Sequence, residues 1–323
     1  MPDNTEIDFG QSPIKASTKL SVNANLKADT KDARKLIERA LPYMAGVLNG
    51  AVCLPGKVLE SYCNRLIASN EVESAKIKAA GEIEINKMYE NAGLEDLAHR
   101  AHARQLADGM RQQINMEEIT RKALPLLGKD PKPEDIEEDW LAQFYEFCRN
   151  TSDCQMQELW AKILAGEASQ KGSFSFRTLD LIKTITRTEI ALFDELCSIS
   201  IKVESQHNGI LPVVLRKHED LMRNMSGLII FEQLESIGLI HLSDRPRFAF
   251  LGGKEGTIDY FGRKYAYALP HDGSDDLVTG EVLFTNVGLE LFKLSKPTFK
   301  GWFEKYMICS LGYLNGDMKI TPL

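Results

Sequence analysis

The chain has 323 residues, 43% hydrophobic and 26% charged, with a net charge of −7. That is enough apolar mass for real cores and too much for wholesale disorder. The surplus negative charge sits in residues 131–204, with 8 basic against 14 acidic side chains. No third of the chain is basic, so composition gives nucleic-acid binding no electrostatic support and makes it an unlikely partner class. Six cysteines, at 53, 63, 148, 154, 197 and 309, form no C-x-x-C pair, and the acidic, polar start carries no apolar signal segment. Free thiols in a reducing, cytoplasmic setting are the expectation.

Residues 1–30, rich in Ser, Thr, Asn, Asp and Lys, read as a flexible leader. A helical start over 31–44 then runs into an uncharged stretch from 40 to 56 containing Gly46-Val-Leu-Asn-Gly50. A G-x-x-x-G spacing lets helices approach closely, and Pro42, Asn49 and Pro55 interrupt a segment already short for a bilayer. It is expected to form a buried or self-associating hairpin, with contact to a membrane surface as the alternative. Residues 57–122 are rich in good helix formers, and Val58, Tyr62, Leu66, Ala75, Ala79 and Ile83 mark one narrow apolar stripe. So thin a seam needs a partner, so 31–124 is assigned to a helical hairpin that oligomerises, with breaks at Gly81, Gly93 and Gly109.

Pro131 and Pro133 are expected to stop that helical tract, and Asp135, Glu137, Glu138 and Asp139 suit the first turn of the next helix. Residues 133–204 read as a compact module of four helices. Trp140, Leu141, Phe144 and Cys148 mark the first. Ser152 or Asp153 caps the second, where Met156, Leu159, Trp160, Ile163 and Leu164 recur at helical spacing. Ser175 caps the third, with Leu179 and Ile182 inside, and Thr186-x-x-Glu189 is a capping box opening the fourth. Residues 205–323 are mixed: a helix closing on Gly238, apolar strands broken by glycines, and a helix opening at Thr285. A helix, then strands, then a strand leading into T-x-x-G-x-E-L is the order of a winged-helix-like module. The fold class expected is therefore mainly α, with long N-terminal helices, a central four-helix module and a C-terminal α+β winged-helix-like module.

Two central strings carry a resemblance: Trp160-Ala-Lys-Ile-Leu-Ala-Gly-Glu167 and Gly172-Ser-Phe-Ser-Phe-Arg-Thr-Leu179, preceded by Asp139-Trp-Leu-x-x-Phe144. They resemble the W-A-x-I-L-A-G-E and G-S-F-S-x-R-T-L hallmark of an uncharacterised bacterial domain-of-unknown-function family. Lys171 stands where proline is common in that family. A more distant likeness, through L-W-A-x-x-L-A and the C-terminal T-x-x-G, is to the abortive-infection alpha family of phage-defence proteins. The resemblance implies a helical architecture and a bacterial or prophage setting, and it brings no catalytic residues. Its motif residues, Trp140, Trp160, Leu164, Gly166, Glu167, Ser173, Phe174, Arg177 and Leu179, are expected to act structurally, with Glu167 and Arg177 pairing across the turn between two helices. Gly46 and Gly50 are the candidates for self-association or membrane contact.

Chemistry is sparse. Glu95, Asp96, His99 and His102 share a helix face without the ligand number of a metal site. Gly252-Gly-Lys-Glu-Gly256 lacks the P-loop pattern and reads as a hairpin turn. No nucleophile elbow, H-E-x-x-H or zinc-type cysteine spacing occurs. No cofactor or metal is expected. The reading favoured is a non-enzymatic interaction protein, a phage-defence sensor or effector acting by self-association or membrane contact, with a homo-oligomer or another protein as partner. A DNA-binding regulator presenting Arg216, Lys217 and Arg223, and an unrecognised enzyme, stand as alternatives.

Overall fold

A computed structural model of the protein describes residues 30–44, 56–68, 71–91, 97–205, 208–225, 229–246, 248–250, 254–270, 276–316 and 318–323. The described chain is mainly helical, with a small antiparallel sheet in its C-terminal half. None of its helices is long and apolar enough to cross a membrane. Gly46, Gly50, Gly93, Glu95, Asp96, Gly252 and Gly253 lie outside the described residues.

Helix α1 (Thr30–Met44) buries Ala33, Leu36, Ile37, Ala40 and Met44, one face at helical spacing. The first part of the uncharged stretch is therefore core. On the other side of α1, Lys35 Nζ pairs with Glu134 at 3.1 Å and the Arg39 guanidinium donates to the Ile136 carbonyl at 2.6 Å. Three helices follow: α2 (Gly56–Ala68), α3 (Glu71–Asn91) and α4 (Leu97–Ala123). Gly81 opposite Ile114 and Lys78 opposite Glu118 (3.9 Å) make α3 and α4 an antiparallel hairpin.

On α2 Leu66 of the expected stripe is buried and Tyr62 partly so, the side chain of Val58 lying outside the described residues; on α3 the stripe fails. Ala75, Ala79 and Ile83 face outward there, and α3 turns Lys78, Gly81, Ile85 and Met88 inward instead. At Gly81 a Cβ would stand 2.5 Å from Ile114 Cδ1, so the glycine leaves the Ile114 side chain room to lie against α3. Gly81 and Gly109 are thus inside helices. Helix α4 stops earlier than Pro131: Pro125, which has no N–H to continue the ladder, turns the chain into a short 3₁₀ segment at Leu124–Leu126.

The central helices form where their caps stand. They are α5 (Glu138–Cys148), α6 (Cys154–Ser169), α7 (Phe176–Thr184) and α8 (Arg187–Cys197). Asp153 accepts from the Met156 N–H, Ser175 from Thr178, and Thr186 and Glu189 exchange the two bonds of a capping box. Ser152 is not a cap; its hydroxyl accepts from Asn115 on α4. Phe144 joins Trp140 (stacked, 5.3 Å) and Trp160 (edge-on, 5.4 Å) in the buried centre.

The remaining chain runs β1 (Ser200–Glu204), β2 (Asn208–Pro212), α9 (Glu219–Asn224), α10 (Ile229–Ser236), β3 (Ile240–Leu242), β4 (Phe248–Phe250), β5 (Glu255–Tyr260) and β6 (Arg263–Ala268). It continues through β7 (Leu277–Gly280), β8 (Val282–Phe284), α11 (Asn286–Phe292) and α12 (Phe303–Leu314) to β9 (Lys319–Pro322). Five antiparallel strands pair in the order β2-β1-β5-β6-β9, while β3 pairs with β8 and β4 with β7. One apolar core, from Ala33 on α1 to Met318 before β9, runs through all these elements.

Gly280 joins the small strands to the rest. Its φ is +132°, and its backbone lies against Val214, whose N–H donates to the Thr279 carbonyl (3.3 Å) and whose carbonyl accepts from Glu281 (2.9 Å). A side chain at 280 meets both backbone strain and the Val214 carbonyl. Gly280→Ala is expected to cost about 3 kcal/mol of stability. Gly312→Ala, in the last turn of α12 with open space around it, is expected to gain about 0.5 kcal/mol. Urea denaturation of the two variants beside the parent checks both signs.

Candidate functional site: a junction of two motifs

The two strings singled out in the centre of the chain meet at the end of α6. Gly166 lets the Phe174 ring lie flat on the helix: a Cβ there would stand 2.6 Å from Phe174 Cε2. The next residue, Glu167, is buried and turns its carboxylate into the following loop. Its Oε1 accepts from the Gly172 N–H at 2.6 Å and its Oε2 from the Phe174 N–H at 3.0 Å. The Phe174 carbonyl in turn accepts from the Trp140 indole N–H at 2.8 Å. Gly172 itself takes φ +77°, the left-handed conformation that glycine adopts without strain. Trp160, Leu164 and Leu179 fill the core beneath, and Ser173 is buried in the loop. Arg177 is exposed, and the carboxylate expected to pair with it is held by backbone N–H groups instead. That follows from geometry: two loop N–H groups left over by the sharp turn, of Gly172 and Phe174, point at one side chain, and the two oxygens of a carboxylate satisfy both.

A second carboxylate approaches from 112 residues away. Glu290 on α11 accepts from the Ser175 N–H at 2.7 Å and the Thr178 hydroxyl at 2.6 Å, at the start of α7, where unpaired N–H groups and the helix dipole favour an anion. Lys293, one turn later, donates to the Ser173 carbonyl at 3.4 Å. Glu290 belongs to the string Thr285-Asn-Val-Gly288-Leu-Glu290. Thr285 caps α11 by accepting from the Gly288 N–H (3.0 Å) and donates to the Gly238 carbonyl (2.7 Å). Gly288 has no room for a side chain against the Leu239 carbonyl. The T-x-x-G-x-E string and the G-S-F-S string are two halves of one joint. Local spacing had no means of showing this.

Burial pushes the Glu167 carboxyl above the ordinary glutamate range, against the N–H groups of Gly172, Phe174 and Ser173, which favour its charged form. The one hydroxyl that meets a carboxylate in the joint, Thr178 against Glu290, belongs to a buried side chain, and no group of three or more His, Cys, Asp or Glu able to hold a metal exists among the described residues. His99 and His102 sit exposed on α4. The other candidates for recognition are also displaced from what spacing suggests. Arg216 is committed to the buried Glu281 (3.1 Å), the Ser243 carbonyl (2.8 Å) and Asp244. Arg223 pairs with Glu219 at 2.9 Å, and Lys217 is exposed. The outward face of α10 carries Glu232, Gln233, Glu235 and Ser236.

Fold and joint together define a class: a mainly helical protein with an α+β C-terminal half, locked by carboxylate-to-backbone contacts. Comparison with family models places it further. The chain belongs to the family described as protein of unknown function (DUF2806), whose model matches residues 99–308, from the first turn of α4 into α12. Searches of curated proteins and of solved structures gave no match.

Removing the Glu167 carboxylate leaves buried N–H groups without acceptors, so Glu167→Ala is expected to lose about 3 kcal/mol and Glu167→Gln about half of that. The pH dependence has a definite sign. A carboxyl whose folded pKa is raised contributes stability that is fully present below the unfolded value and lost as pH rises through the folded one. The stability difference between parent and Glu167→Gln should therefore shrink as pH rises from just below the ordinary glutamate value to just above it. Chemical denaturation across that window reads it; a difference that grows with pH contradicts the assignment.

Proposed function

We propose that the protein is a non-enzymatic interaction protein that self-associates through the α3–α4 arm and presents its C-terminal module to a protein partner. The observation that carries this reading is the composition of the arm's surface. Over their distal parts the two helices bury little besides Gly81, Ala103 and Ala107. Ile83 is 56% exposed, Leu97 72% and Leu106 44%. A shallow apolar trough runs along α4 past His102, Leu106, Gly109, Met110 and Gln113, positions one helical turn apart. Gly109 leaves the dent in it, with nothing within 4 Å of where its Cβ would be.

A second copy is the occupant that fits. Helix α3 holds three basic against five acidic residues and α4 five basic against three acidic, so α4 of one copy is complementary to α3 of another. An interfacial membrane helix would instead set Lys and Arg opposite a continuous apolar face, whereas Glu82, Glu84, Arg104 and Arg111 interleave with the apolar positions here. Self-association also covers apolar surface that a two-helix arm has no third element to cover.

The order α8, α9, α10, β3, β8 with Val214 bridging β7 supports the winged-helix-like reading of the C-terminal module. The acidic outer face of α10 and the commitment of Arg216 favour protein over DNA as its partner. The phage-defence setting rests on the likeness of L-W-A-x-x-L-A and the C-terminal T-x-x-G to the abortive-infection alpha family, and it is part of the same proposal.

Sedimentation velocity over a concentration series tests the arm. The full chain is expected to dimerise, and Leu106→Asp with Met110→Asp to weaken the dimer by at least about tenfold, since each buries a charge in an apolar seam. Gly109→Trp, which fills the trough from an open position, should weaken it without lowering the melting temperature. A monomer at every concentration, or a dimer indifferent to all three changes, refutes the proposal.

A further inference from the structure

A cavity of about 370 Å³ lies between the central helices and the C-terminal half, within the size range of small-ligand sites. Its walls come from four helices and the chain just after α11. Met156 and Leu159 stand on α6, Ile182 on α7, Ile190 on α8, and Leu291 and Leu294 at the end of α11 and beyond. Two lysines face the same space, Lys162 from α6 and Lys296 from the segment after α11.

Lys162 is the telling group. It is half-buried, and among the described residues it has no ion pair and no hydrogen bond, although Glu158 stands one turn earlier on the same helix, where pairing is common. Burial, and after it the positive charge of Lys296, pull its proton affinity below that of an ordinary lysine. The neighbouring charges are otherwise engaged or turned to water. Asp194 Oδ1 accepts from the Lys296 N–H at 2.8 Å, Arg187 is paired with Asp153, and Glu158 is exposed. Glu158 and Asp194 line the same space and act on Lys162 from a distance, but neither forms an ion pair with it; a partly desolvated ammonium at the edge of an apolar space gains from an anion in direct contact.

We propose that this cavity binds a small amphipathic anion, a single apolar chain ending in an acid group, with the chain against Leu159, Ile182, Ile190 and Leu291 and the acid at Lys162 and Lys296. Such a ligand touches the central module and α11 together, beside the helix whose Glu290 makes the joint. It therefore stabilises the same closure without using the joint's own residues. The site is independent of the arm, so loss of self-association leaves it standing.

Isothermal titration of the full chain with decanoate, below the concentration at which it forms micelles, is the test, with decanol and decyltrimethylammonium as neutral and cationic counterparts. Saturable one-to-one binding of decanoate is expected, at least about tenfold tighter than decanol, with no binding of the cation. Lys162→Met, which keeps the length of the side chain and removes the charge, should bring decanoate down to the affinity of decanol. Ala191→Trp, bulk added from an exposed lining position, should remove binding of both. The absence of saturable decanoate binding, equal affinity for decanoate and decanol, or unchanged binding by both variants, each overturns the proposal.

Discussion

Two carboxylates holding one stretch of backbone are the constraint on which the rest of the structure depends. Between Gly172 and Thr178 the chain turns sharply from α6 into α7, leaving N–H groups that helix and sheet do not use. Glu167 takes those on one side and Glu290 those on the other. Buried backbone groups must find partners, and here the partners are charged, which makes each bond stronger than a neutral one and its loss more expensive. Glu290 is the more consequential of the two, because it is the C-terminal half's hold on the start of a central helix. Around it, Gly166 and Gly288 bring ring and carbonyl into contact with helix backbones at distances no other residue allows.

What the sequence made readable followed from local physics. The caps at Asp153, Ser175 and Thr186, and the apolar faces of α5 and α6, depend on residues within a turn or two of one another, and they form as spacing predicts. The turn at Gly238 and the cap at Thr285 are likewise local. The failures are long-range. Helix α3 carries two competing faces, and the one with Ala75, Ala79 and Ile83 is the better apolar stripe. The face that packs on α4 is the one where Gly81 receives the Ile114 side chain, a fit that belongs to the pair of helices. Glu167 reads from the sequence as a residue fixing the turn, but charge alone points to Arg177 as its partner, and backbone N–H groups take that place. Glu290 was within a string that stood out, yet nothing near it in sequence reveals that its acceptors serve Ser175 and Thr178.

The functional proposals occupy different parts of one design. The two carboxylates of the joint are spent on groups of the protein itself, as in a structural lock. Surface that remains unsatisfied lies elsewhere: the apolar trough of the arm, and the half-buried Lys162 above the cavity between the modules. Both are places where a binding partner improves on water. The family model begins at His99, in the first turn of α4, so it covers the joint, the cavity and the trough, and it leaves out α1 to α3. The trough on α4 is therefore within the matched region, while the helix that opposes it is supplied from outside.

The most direct test of the central claim is native-state hydrogen exchange at the amides of Gly172, Phe174 and Ser175 in the full chain. If the two carboxylates lock this loop into the core, these amides exchange only through global unfolding, with the protection of the Trp160 amide in the middle of α6. Exchange at the rate of an ordinary surface turn, while α6 stays protected, contradicts the account.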